Sequence, residues 1–140
     1  MIDLYLAIEN KLAEVPELKY IDMVDQDHPD AGDQESCEPT ALVKLPPIDW
    51  KQQGDDTLHA DIAFTVQLTG MSFHSSHKNS PKLNDLKSSL AWMHAAKKKL
   101  YEDGVEYLNN ICLTGEHFTK QGKRYELELT YKALVEYNMV

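Results

Sequence analysis

No apolar run in the sequence approaches the roughly 18 residues that a membrane span requires. The opening Met1-Ile2-Asp3 has neither the basic flank nor the continuous apolar stretch of a signal peptide. A soluble chain that is not exported by that route is expected. Cysteine is scarce: Cys37 stands in a polar stretch and Cys112 in an apolar one. Two thiols give no disulfide framework, so both read as reduced cytosolic side chains, Cys112 as a small buried hydrophobe between Ile111 and Leu113. The six glycines are scattered singly, which leaves no glycine-rich loop to cradle a phosphate. Positive charge is short as well. With 14 Lys and Arg against 23 Asp and Glu, the net charge of −9 disfavours phosphate backbones and anionic lipid, because nucleic-acid affinity comes largely from cations that displace counterions. Tight nucleic-acid binding and membrane attachment are therefore not expected.

What the sequence does have is a hydrophobic content of 42% in 140 residues, enough for one core and too little chain for two, so residues 1–140 read as a single domain. Leu4, Ile8 and Leu12 recur every fourth position and predict an amphipathic helix over Ile2 to Val15, ended by Pro16. Lys19 to Asp25 predicts a short strand. A loop over Asp25 to Pro39 follows, rich in Asp and Glu and nearly free of apolar side chains. Thr40 to Leu45 and Ile48 to Gln53 predict two more short strands. From His59 to Thr69 the alternation is strict, with Ala60, Ile62, Phe64, Val66 and Leu68 on one face.

After a polar loop over Gly70 to Ser80, Ser80-Pro81 supplies a helix start, and Leu83, Leu86, Leu90, Met93, Ala96 and Leu100 form one stripe of a second helix, capped near Gly104. Val105 to Leu113 is readable as a helical turn or a strand, and Gly115 to Gly122 as a turn-rich connection. Tyr125, Leu127, Leu129, Tyr131, Ala133, Val135 and Tyr137 then occupy alternate positions of a long final strand. The order predicts an α+β fold, a single mostly antiparallel sheet with two helices packed on one face.

Candidate chemistry is thin. Asp25 and Asp27 begin an Asp-x-Asp series, but Pro29 stands where the third oxygen ligand of a calcium loop belongs, and a solvated loop is the better reading. His74 and His77, three apart, are the only raw material for a zinc-dependent enzyme, with no Glu or Cys at the spacing such a site needs. His94 reads as a partly buried structural histidine beside Trp92 and Met93. No catalytic residue, cofactor or metal is assigned, and the chain reads as not an enzyme. Trp50 and Phe73 stand in polar surroundings, where aromatic side chains commonly anchor protein interfaces, and are the candidate interface residues.

The helix Ile2 to Val15, the Tyr20-Ile21-Asp22 strand, the Pro39-Thr40-Ala41-Leu42-Val43 strand leading to Trp50, the Asp61 to Leu68 strand, the second helix and the closing strand ending in Val135-Glu136-Tyr137 span most of the chain. In this pattern the chain resembles the tail terminator, or tail-completion, proteins of long-tailed phages and prophages. The resemblance implies a small α+β subunit that forms a ring with copies of itself, a hexamer, which caps the tail tube and presents a surface to the head connector. It implies assembly in the host cytoplasm followed by residence in the virion tail. A head-to-tail joining (neck) protein shares the size and general fold and is the alternative within the same class.

Overall fold

The computed structural model describes residues 2–24, 39–54, 56–72 and 83–138. Helix α1 (Ile2–Leu12) buries Leu4, Tyr5, Ile8 and Leu12, the stripe that its four-residue spacing predicts. It stops three residues before Val15. Pro16 has no amide hydrogen and pushes the residue before it out of the helical region, so the chain tightens instead. Glu14 N donates to Lys11 O at 3.2 Å and Val15 N to Leu12 O at 3.0 Å, and Val15 stays buried.

Strands β1 (Tyr20–Met23) and β2 (Thr40–Lys44) are parallel neighbours, with Tyr20 opposite Thr40 and Met23 opposite Val43. They are the parallel exception in the mostly antiparallel sheet that the sequence predicts. Parallel pairing requires a connection of a dozen or more residues, and the acidic stretch between the two strands has that length. Strand β3 (Lys51–Gln53) leads through Gly54, at φ +75°, into β4 (Thr57–Met71). The buried set of β4 contains Ala60, Ile62, Phe64, Val66 and Leu68, as the alternation requires.

The second helix bends. It runs as α2 (Leu83–Ser89) and α3 (Ala91–Glu102), with Leu90 between them at φ −110°, ψ 5°. Ser89 accounts for the break: its hydroxyl donates to the Leu86 carbonyl at 2.8 Å, and its oxygen lies 2.9 Å from that of the buried Ser72. Beyond the bend Trp92, Met93, Ala96 and Leu100 are buried, whereas α2 buries nothing and leaves Leu86 at the margin of the core. Gly104, at φ +79°, follows α3 as a C-terminal cap should.

Strands β5 (Leu108–Gln121) and β6 (Arg124–Asn138) close the chain as a hairpin. Of residues Gly115 to Gly122, expected as a turn-rich connection, Gly115 to Gln121 instead form the second half of β5. Gln121 pairs with Arg124, so only Gly122 and Lys123 remain for the turn. Gly122, at φ +61°, takes the first central position, where a two-residue hairpin turn favours glycine.

The sheet order is β1-β2-β4-β6-β5, with β3 beside β4, and every strand pair except β1–β2 is antiparallel. Buried residues of both helical units and of β2, β4 and β6 form one cluster, so the helices lie on one face of one sheet, an α+β fold. Tyr131 holds the layers together. Its ring stacks on Phe64 at 5.2 Å and its hydroxyl donates to the Lys97 carbonyl of α3 at 2.9 Å. Burial pushes the Tyr131 hydroxyl pKa well above the usual tyrosine value. Gly70 marks a close approach of helix and sheet, where a Cβ would meet Trp92 Cζ2 at 2.9 Å. Among the described residues no helix is long and apolar enough to cross a membrane.

Candidate assembly surface

The sheet ends in two unlike edges. One is the four-residue β1; the other is the fourteen-residue β5. The first half of β5 is irregular, with register shifts between Asn109 and Cys112 and between Leu113 and Gly115, and with Asn110 at φ +54°. Such bulges twist an edge and spoil it as a template for pairing. The second half is regular. Glu116 through Gln121 pair with Leu129 through Arg124 without a break, and no other strand among the described residues lies against the outer side of β5.

Antiparallel partners point to the same face, so the register assigns each side chain of this segment. Glu116, Phe118 and Lys120 lie opposite Leu129, Leu127 and Tyr125, all buried, and therefore stand on the helix-bearing face. All three are nonetheless exposed. Phe118 is 55% exposed, although its ring stacks on Tyr125 at 5.8 Å, and Lys120 Nζ lies 5.7 Å from the centre of the same ring. Lys97 Nζ reaches across from α3 to Glu116 Oε1 at 3.0 Å. Between these elements a groove of about 580 Å³ is floored by Leu90, Met93 and Leu127 and rimmed by Lys87, His94, Lys97 and Glu116.

A wider depression of about 740 Å³ lies on the face without helices, lined by Asp61, Cys112, Thr114, Lys132 and Leu134 among others. Cys112 is free and exposed there, not buried as its apolar neighbours suggest. The upstream bulge sets it opposite Lys132, whose side chain belongs to the uncovered face. His94 also departs from expectation and is exposed. Trp92, Met93 and Ala96 occupy the buried stripe of α3, and position 94 falls outside it.

Trp50 is half-buried and packs at the margin of the core, its ring 6.4 Å from that of Tyr137, which in turn lies 5.8 Å from Tyr107. Tyr107 adopts φ +72°, an uncommon conformation for a bulky side chain. Phe73, His74, His77, Cys37, the acidic residues Asp25 to Glu38 and the Ser80-Pro81 helix start lie outside the described residues. Among the described residues no group of three or more His, Cys, Asp or Glu is placed to hold a metal ion. Sequence reasoning missed Phe118. Its flanks, Glu116, His117, Thr119 and Lys120, are as polar as those that singled out Trp50 and Phe73, so the same criterion would have found it.

Comparison with protein-family models and with curated proteins finds no match. Among solved structures, a chain described as "Virion of native gene transfer agent (GTA) particle" is 16% identical in sequence. The overlap covers 96% of this chain and 95% of that one, with a TM-score of 0.47. An overlap of that extent leaves role and partners to be argued from the sheet itself.

Proposed function

We propose that this chain is a structural subunit of a tailed-phage or phage-like particle and, within that class, a tail terminator: a six-fold ring that caps the finished tail tube and joins it to the head. The feature that carries the reading is the pair of sheet edges that no further described strand covers, short β1 on one side and the long β5 on the other. A contact between unlike edges is head-to-tail, and head-to-tail contacts make rings when the rotation between copies closes. The pattern shared with tail terminators, from the N-terminal helix to Val135-Glu136-Tyr137, supports the same reading.

The role is mechanical and calls for no substrate, cofactor or metal. A net charge of −9 suits a passage through which DNA slides without sticking. Particles made without this chain test the proposal. Electron microscopy is expected to show heads and tails apart and tubes that lack a terminal ring. Normally joined particles would contradict the role, and capped tails beside detached heads would assign the chain to the neck instead.

A further inference from the structure

We propose that, away from any particle, two copies of this chain pair through β5, antiparallel about a two-fold axis that passes at Phe118. The contact is isologous and stops at two copies, so it goes beyond the head-to-tail ring and stands independently of it. Its basis is the order of residues along the regular half of the edge. In an antiparallel pair centred on Phe118, the two Phe118 rings meet, Glu116 faces Lys120 of the second copy, and Lys120 faces Glu116 of the second copy. All three side chains share the helix-bearing face, because their β6 partners are the buried Leu129, Leu127 and Tyr125.

That register is singled out by charge. Moving the centre to His117 sets Phe118 against Glu116 of the second copy, and moving it to Thr119 sets Phe118 against Lys120. Either shift sets a charged side chain against the Phe118 ring and gives up the cross-strand Glu116–Lys120 pairs, which in the centred register add to the Lys97–Glu116 bridge already within each chain. A lysine on an edge strand ordinarily repels its own copy and guards the edge, whereas a glutamate two residues to the other side of Phe118 turns the same lysine into half of a cross-strand pair. The register shifts of β5 all lie before Glu116, so the contact falls where pairing is unbroken. Phe118 is 55% exposed in the single chain, and the groove over Leu90, Met93 and Leu127 beside it offers apolar surface to the incoming copy. In the ring reading, this dimer keeps β5 covered until β1 of the next copy takes its place.

The test is the mass of the purified full chain by sedimentation equilibrium, with charge reversals. At tens of micromolar the expected species has twice the 16.0 kDa of the single chain. Glu116→Lys and Lys120→Glu should each weaken the dimer at least about ten-fold, and the double reversal should restore most of the loss, since opposite charges then face each other across the strands again; the remainder belongs to the Lys97–Glu116 bridge, which Glu116→Lys also breaks. Phe118→Cys in a Cys37→Ser, Cys112→Ser background should form a disulfide-linked dimer under mild oxidation, because cross-strand partners lie within the roughly 4.4–6.8 Å Cα separation a disulfide accepts. Far-ultraviolet circular dichroism checks that each variant is folded. A monomer at every concentration, a ring in free solution, or a dimer indifferent to both single reversals and not cross-linked through residue 118 would overturn the proposal. The particle assay described above has no bearing on these outcomes, so the two ideas fail separately.

Discussion

β5 and β6 are the two arms of one hairpin, 14 and 15 residues long, and they stand in opposite situations. β6 is flanked by β4 on one side and β5 on the other, and six of its side chains, from Tyr125 to Val135 at every second position, are buried. Among the described residues β5 is paired along one side only, and Leu108 is its sole buried residue. Each large apolar side chain that β6 takes from water contributes roughly 1.5–3 kcal/mol, whereas the second half of β5 holds on through backbone bonds to β6 and the stacking of Phe118 on Tyr125. The hairpin thus separates two tasks: β6 anchors the sheet, and β5 presents it.

Substitutions can break that contrast. The largest effect is expected at Tyr131, which is fully buried, stacked on Phe64 and bonded to α3: Tyr131→Ala should cost about 3–5 kcal/mol in denaturant unfolding. Gly70→Ala should cost about 1–3 kcal/mol, because the new methyl meets Trp92 at 2.9 Å and the tight seam between sheet and helix must open. Both changes strike the anchored side of the molecule.

Tyr131→Phe isolates the hydroxyl and should cost about 1 kcal/mol, the usual net worth of one hydrogen bond. It should also change the alkaline limb. Because the folded-state pKa of Tyr131 is raised, its contribution is fully present below the unfolded value near 10 and is lost as pH rises from there toward the folded value. Wild-type stability should therefore fall more steeply above pH 10 than that of Tyr131→Phe, as followed by thermal melts across that range. The smallest effect belongs to the exposed arm: Phe118→Ser, measured at concentrations too low for association, should change stability by no more than about 0.5 kcal/mol. Equal losses at Tyr131 and Phe118 would erase the distinction between the arms.

The same contrast governs what the sequence reveals. Alternation records a difference in burial between two faces, and β4 and β6 have such a difference, so both were legible residue by residue. β5 has almost none. From Glu116 to Gln121 every side chain is exposed, and a strand wet on both faces leaves no period to read, so Gly115 within it and Gly122 just after it suggested turns. Gly122 does make a turn. Gly115 instead lies within the strand at a register shift, opposite Thr130.

The bend at Leu90 was hidden for a different reason. It depends on Ser89 meeting Ser72, residues far apart in sequence that only the fold brings together. Parallel pairing of β1 with β2 was equally out of reach, since four exposed or half-exposed residues carry no directional signal. At the candidate surface, the criterion of an aromatic in polar surroundings was sound, but it was applied to Trp50, which packs against Tyr137, and passed over Phe118. Burial of Cys112 was inferred from its neighbours, and the bulge that turns it to the uncovered face leaves no mark in composition.

That β5 is the surface through which the chain assembles is most directly tested by backbone amide hydrogen exchange followed along the chain as its concentration is raised. Protection of Glu116 to Gln121 should increase with association, while the already paired amides of β4 and β6 stay unchanged. Association that leaves exchange in this segment untouched would place the contact elsewhere and contradict the account.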